Sequence, residues 1–454
     1  MQEKISDVSQ EYINSLCDKY RDNYSFPKVN YEKHNVKRGL RNIDGTGVVA
    51  GVTDICNVHG YLINEGERMP IDGELIYRGI NIKDIVASCQ KENRFGFEEV
   101  IYLLLMGSLP SQKELTEFKH VLSKASVLPD NFTEDVIMRM PSANIMNSIQ
   151  RSVLALYTFD ADTESLKLEN LLRQSVNIIA KFPAIIANAY QAKRRFYDRE
   201  SMFIHYNNPD LSVAENFLYL MRPDSKYTDE EAKLLDLCLI LHAEHGGGNN
   251  SAFSARVLSS SGTDTYSAIS AAVGSLKGHK HGGANAKVTE MFNYIKRDVK
   301  DWSNQEEIAE YLTKIMKKEA GDGSGLIYGM GHAVYTISDP RAVILKESAR
   351  KLAQKQGCYD EFLLMESVEK LTPEVFAKVK NEYKTICANV DMYSGFVYRM
   401  LGIPDEIITP LFALARVVGW CSHRIEEIIT GGKIIRPAYK SISKDKEYIP
   451  IGER

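Results

Sequence analysis

Residues 228–245 restrict the fold more than any other stretch. Leu234, Leu235, Leu237, Cys238, Leu239, Ile240 and Leu241 make this helical segment apolar nearly all round, and a helix without a polar face belongs in a core. Further segments of helical periodicity recur near 82–92, 97–106, 111–124, 144–158, 167–195, 213–222, 249–260, 263–277, 284–298, 304–318, 340–354, 373–387, 391–401 and 408–429. Residues 1–24 carry Ile5, Val8, Tyr12, Ile13, Leu16 and Tyr20 at helical spacing with a charged opposite face. Only Gly39 to Ile80, rich in glycine and β-branched residues, reads as a few short strands and turns. The expected fold is therefore mainly α.

The composition narrows the function classes. Among 454 residues the net charge is −4 and there is no dense basic stripe, so nucleic acid is not an expected partner. No apolar run approaches the roughly 18 residues of a membrane span. The start, Met1-Gln-Glu-Lys-Ile-Ser-Asp, fits neither a signal peptide nor an Arg-rich transit peptide. Cysteines at 17, 56, 89, 238, 358, 387 and 421 show no CxxC spacing, which points to reduced thiols and a cytoplasmic protein.

Four places interrupt the helices with residues suited to chemistry. Gly274 to Asn285 holds His279, Lys280, His281 and glycines between two helical patterns. His279 reads as part of a polar turn, whereas His281, followed by Gly282-Gly283, reads as a proton-handling group. His242-Ala-Glu-His245-Gly-Gly-Gly ends the buried helix. A histidine is favoured there by the helix dipole, but one glycine would end the helix, so three suggest an approach surface for a ligand. His245 reads as functional; His242 reads equally well as core. Gly321 to His332 carries five glycines before His332, without the spacing of a dinucleotide fingerprint or a P-loop. Asp339-Pro340 then starts a helix with Arg341 in its first turn, where the dipole disfavours a cation unless an anion sits there. Asp391 precedes an amphipathic helix and alone would be taken for its N-cap. Arg416 and Arg436 complete the set. Arginines on separate elements imply a substrate with carboxylates, and histidines with one carboxylate imply acid–base work without a covalent nucleophile.

These residues resemble the citrate synthase family of the Si type. The signatures are His242 to Asn249, His281-Gly-Gly-Ala-Asn285, Gly331-His-Ala-Val with Asp339-Pro-Arg341, Asn389-Val-Asp391 with Ser394-Gly395, and the pair Arg416 and Arg436. The resemblance runs from about residue 39 to 440. It implies a large helical domain, 1–282 with 396–454, and a small inserted helical domain, 283–395, that closes over the active site. It also implies condensation of acetyl-CoA with oxaloacetate, with Asp391 removing the methyl proton, His281 bonding the enolate oxygen and His332 acting on the ketone. His245, Arg341, Arg416 and Arg436 would hold the carboxylates. Gly325, Tyr328, Gly329 and Gly331 would meet CoA, and no metal or other cofactor is implied. The helical rather than strand-rich N-terminus points to a homodimer that shares Arg436. Propionyl-CoA in place of acetyl-CoA, giving 2-methylcitrate, is the near alternative. From the residues alone two other readings stay open: a metal site built from His242, His245, His279 and His281, and a helical scaffold without catalysis.

Overall fold

The computed structural model describes residues 9–23, 31, 34–42, 45–65, 67–443 and 445–454, so Ile5 and Val8 lie outside the described residues. The chain forms two compact units, Met1–Ala50 with Arg436–Arg454, and Gly51–Ile435. In the first, α1 spans Gln10–Asn23, and Tyr12, Leu16 and Tyr20 on its apolar stripe are exposed.

The second unit opens with an antiparallel hairpin, β1 (Cys56–Asn64) and β2 (Glu67–Tyr77), extended by the two-residue β3 (Ile80–Asn81). Its register slips between His59 and Tyr61. There Gly60, with Gly73 on β2, leaves room for the segment Val334–Ser338: a Cβ at Gly60 would lie 2.8 Å from the Val334 carbonyl, and one at Gly73 would collide with that of Ser338. The hairpin thus serves as a bed for the loop that carries His332.

Helices follow almost without interruption: α2 (Ile82–Lys91), α3 (Phe97–Met106), α4 (Gln112–Ala125), α5 (Ile145–Ala155), α6 (Leu168–Lys193), α7 (Val213–Met221) and α8 (Asp229–His242). Then come α9 (Asn250–Ser259), α10 (Thr265–Lys277), α11 (Ala284–Asp298), α12 (Gln305–Met316), α13 (Pro340–Gln356), α14 (Tyr359–Lys380), α15 (Asp391–Met400) and α16 (Asp405–Ile429). Ser111/Glu114, Ser212/Glu215 and Thr228/Glu231 form reciprocal capping boxes that start α4, α7 and α8. As expected, α8 is buried over most of its length. It packs on α7 and α16, and α16 in turn packs against α3, α6, α9 and α10. The small residues of α10 let it sit closely on α5 and α9; at Gly274 a Cβ would meet the Gln150 amide at 2.5 Å. Farther on, α12 packs on α14, α14 on α13, and both α11 and α13 on α15.

One helix departs from the sequence reading. The pattern suggested 373–387, but α14 runs from Tyr359 to Lys380 with Pro373 inside it. Phe362, Leu364, Met365, Val368, Leu371 and Val375 are buried along it, and that apolar burial outweighs the lost hydrogen bond at proline. The chain beyond it runs without helix to Val390.

Candidate active site

His245, His281, His332, Arg341, Asp391 and Arg416 come from six separate helices or loops and line one cavity of about 150 Å³. Each is carried to the cavity by a different local device.

The turn of His281 folds back on α10, with His281 and Gly282 amides donating to the Gly278 carbonyl at 2.9 Å. Gly282 is required by contact, since a Cβ there would strike the Leu276 carbonyl and Thr409. His281 Nε2 lies 3.0 Å from Ser251 Oγ, which also accepts from Trp420 Nε1 at 3.1 Å and lies 2.8 Å from Asn249 Oδ1. The serine hydroxyl has one proton to give. If it goes to His281, Nε2 accepts and Nδ1–H is the donor; if it goes to Asn249, His281 Nε2–H donates to serine and Nδ1 is bare. Burial, with Arg416 second, lowers the His281 pKa to about 4, so the ring is neutral near pH 7.

His332 is fixed by its own loop. Its Nδ1 accepts from the amides of Val334 and Tyr335, both at 3.1 Å, so in the neutral ring the proton sits on Nε2. The ring stacks on Tyr335 at 4.6 Å and meets His245 edge-on at 5.0 Å. Tyr335 is in turn anchored to the hairpin by a 3.2 Å bond to the Glu74 carbonyl. His245 Nε2 has no hydrogen-bond partner. Burial first, then Arg341, His332 and Arg416, hold the His245 pKa well below the usual imidazole value.

The two arginines are held differently. Asp339, the N-cap of α13, accepts from Arg341 Nε at 3.0 Å and Nη2 at 2.7 Å. An anion does sit at this helix start, but it is the cap itself, and Nη1 is left for the cavity. Arg416 donates only its Nε, to the His242 carbonyl at 2.6 Å. Its Nη1 and Nη2 are buried without a partner, although the residue is only 1% exposed. Phe412, one turn earlier on α16, lies under the guanidinium at 4.7 Å.

Asp391 is not a helix cap. The cap position of α15 is Val390, and no side chain caps there. Burial raises the Asp391 pKa, against the pull of Arg341 and a hydrogen bond from Asn285, which makes it a stronger base than a surface carboxylate. Asn285 reaches α15 because Gly395 has no side chain to block it, and it donates to Ser394 Oγ at 2.6 Å.

The glycine-rich loop is explained by its backbone. Gly321, Gly323, Gly325, Gly329 and Gly331 all have positive φ, which side chains resist. Gly331 donates to the Cys387 carbonyl at 2.7 Å and Asn389 donates back to Gly329 at 2.9 Å, so this bridge ties His332 to Asp391. Of the residues assigned to CoA, Gly325 and Gly331 line a neighbouring cavity of about 380 Å³ that also includes His332, Lys318, Lys380 and Lys384. Gly329 instead packs on α15, where a Cβ would lie 3.1 Å from Met392. Tyr328 lies in a separate small recess and donates to Asp322 at 2.7 Å.

Other expectations resolve less favourably. The triple glycine is not a ligand surface: Gly246 needs its positive φ, Gly247 leaves room for Arg256 and His423, and neither lines the cavity. His242 is a core residue, 4.6 Å from the Phe412 ring, with both nitrogens unpartnered. His279 is exposed. Among the described residues no group of three or more His, Cys, Asp or Glu side chains is arranged to hold a metal ion. Arg436 falls in the other compact unit, where it is exposed. Reading the sequence missed Ser251, Trp420, Phe412 and Glu244. Only Phe412 had a signal, its i−4 spacing from Arg416 on one helix face.

Known proteins resemble this chain along most of its length. A sequence model described as "Citrate synthase, C-terminal domain" matches residues 42–438. The citrate synthase of Synechocystis is 35% identical, over 84% of this chain and 89% of that protein. The 2-methylcitrate synthase 1 of Corynebacterium glutamicum is 32% identical, over 92% and 98%. Among solved structures, citrate synthase of Thermoplasma acidophilum, in a ternary complex with carboxymethyl coenzyme A and oxaloacetate, superposes with a TM-score of 0.75 at 28% identity, over 92% of this chain and 99% of that one. That of Thermotoga maritima gives 0.71 at 31% identity, over 92% and 99%. With its mainly α fold and the family match along most of its length, this chain is an enzyme of the citrate synthase family.

Proposed function

We propose that this enzyme condenses acetyl-CoA with oxaloacetate and water to give citrate and CoA. One observation carries the reading: Arg416 points two buried, partnerless nitrogens, beside a partnerless His245 Nε2, at a cavity that also holds Asp391. Buried donors without acceptors are costly, and a small dicarboxylate would satisfy them. Oxaloacetate is such a molecule, held by His245, Arg341 and Arg416, with Arg436 of a second copy as the expected further partner.

Asp391 takes a proton from the thioester methyl group. His281, receiving the Ser251 proton at Nε2, donates Nδ1–H to the enolate oxygen as charge develops there. The nucleophilic carbon forms a bond to the ketone carbon of oxaloacetate; His332 Nε2–H hydrogen-bonds the ketone oxygen as negative charge builds there, and the proton taken by Asp391 is returned to that oxygen through water, which leaves both residues as they began. Water then cleaves the thioester, releasing citrate and CoA. The cavity bordered by Lys318, Lys380, Lys384 and the 325–331 loop adjoins His332, and its lysines suit the phosphates of CoA. We further infer that residues 283–395 form a small domain that closes on the rest of the fold, excluding water from the enolate, so that oxaloacetate binds first and raises acyl-CoA affinity.

The test is Asp391→Asn. Oxaloacetate affinity measured calorimetrically should stay near wild type while turnover collapses, because the carboxylate acts only on the thioester. Retention of most activity would return Asp391 to a structural role. The 2-methylcitrate reading differs by one methylene, worth about 1–3 kcal/mol; kcat/KM for acetyl-CoA against propionyl-CoA decides between them.

A further inference from the structure

Glu244 immediately precedes His245, which lines the cavity, and no step of the reaction uses it. It is fully buried. Its Oε1 accepts from His423 Nε2 at 3.0 Å. The tautomer is dictated from the far side: His423 Nδ1 accepts from Arg256 at 3.1 Å, and an arginine can only donate. Arg256 is itself paired with Glu427 at 2.8 Å and with Glu426. The network therefore presents an N–H to Glu244 and holds it as an anion. The other oxygen, Oε2, has no hydrogen-bond partner. It occupies the space where Gly419 has no side chain, and a Cβ there would collide with it. Gly419 lies three residues beyond Arg416 on α16, on the same helix face.

Two buried carboxylates thus accompany two buried arginines, in contrasting ways. Asp339 grips Arg341 through two of its nitrogens. Glu244 touches none of those of Arg416: His423 engages its Oε1, and its Oε2 lies over Gly419. Burial weakens the Arg416 charge and Glu244 is the first group to restore it. An anion that formed the salt bridge would mask the donors a substrate needs. One held just out of reach supports the charge and leaves the donors open.

Resting on the reading of the cavity as an oxaloacetate site, we propose that Glu244 is a resident counter-ion for Arg416: it stabilises the empty site and competes electrostatically, without contact, with the substrate carboxylate. It is a positioning residue, and the consequence has two opposite signs. Glu244→Gln keeps the bond from His423 and removes the charge. The substrate-free enzyme should melt at a lower temperature, while oxaloacetate should bind several-fold more tightly, with a lower KM, a larger ligand-induced rise in Tm, and kcat unchanged or lowered by slower product release. Glu244→Asp, which retains the charge, should restore KM towards wild type. In an Arg416→Gln background, Glu244→Gln should no longer lower the melting temperature. If Glu244→Gln alone does not fold, recovery of folding in the double variant supports the pairing, and failure of both variants overturns it. Unchanged or weaker oxaloacetate binding by Glu244→Gln, with wild-type binding intact, overturns the counter-ion alone. Failure of the wild type to bind oxaloacetate overturns the reading of the cavity, and the counter-ion with it.

Discussion

Replacing Ser251 by alanine separates the presence of His281 from its tautomer. Ser251 is fully buried and its Oγ meets three groups, His281 Nε2 at 3.0 Å, Trp420 Nε1 at 3.1 Å and Asn249 Oδ1 at 2.8 Å. Alanine leaves the indole N–H of Trp420 in the core without an acceptor, which costs about 1–3 kcal/mol of stability and should lower Tm by a few degrees. The imidazole stays in place but loses the hydrogen bond that, in the proposed mechanism, fixes Nδ1–H as its donor. Such a bond is worth about 0.5–1.5 kcal/mol net, so kcat should fall roughly 2- to 10-fold. Deleting the ring, as in His281→Ala, removes the donor itself and should cost about 10²–10³-fold, the range for an oxyanion donor. The assay is steady-state kcat with both substrates saturating, together with exchange of the acetyl-CoA methyl protons into D₂O, which reports enolisation alone. Both should fall in parallel in Ser251→Ala. A variant that loses stability but keeps or gains exchange rate would mean that the serine proton belongs to Asn249, and that His281 does not act through Nδ1–H.

Acid should weaken the fold through the same ring. His281 titrates at about 4 in the folded state against 6.5 when free, so the unfolded chain takes its proton first; this contribution is complete above about pH 6.5 and is lost as pH falls towards 4, up to roughly 3 kcal/mol. Comparing urea unfolding of wild type and His281→Gln at pH 7 and pH 4.5 isolates it, because the variant should show a shallower loss. Replacing Lys380 and Lys384 together by glutamine should raise KM for acetyl-CoA and leave that for oxaloacetate unchanged; equal effects on both would place the CoA phosphates elsewhere. For Arg436, inactive Asp391→Ala and Arg436→Ala proteins should be co-refolded. If a two-fold partner supplies Arg436, half the dimers are mixed and one site in each is intact, so activity returns to about a quarter of wild type. No recovery would assign Arg436 to its own subunit.

The sequence by itself determined most of the helices and marked the candidate site residues. Helical periodicity and Ser/Thr-x-x-Glu caps are local properties, so α3 and α11 appear with the boundaries read from the chain, and a histidine or arginine set among glycines is conspicuous before any folding is known. The start of α14 was not legible, because the burial of Phe362, Met365 and Val368 that keeps the helix continuous through Pro373 depends on partners on other helices. Asp391 resisted a local reading for the same reason. Next to a helix start it has the sequence of a cap, and only the folded chain, with Val390 in the cap position and Asn285 brought across by Gly395, places it in the cavity. The reason for each glycine was also a tertiary matter: positive φ in 321–331, close contact at Gly282 and Gly419. Ser251, Trp420 and Glu244 carry no local signature, because a buried hydroxyl, indole or carboxylate acquires its role from the groups it meets. Those meetings span 30 residues for Ser251 and His281 and 179 for Glu244 and His423, distances over which only the packing of α9 against α10 and of α8 against α16 decides what touches what.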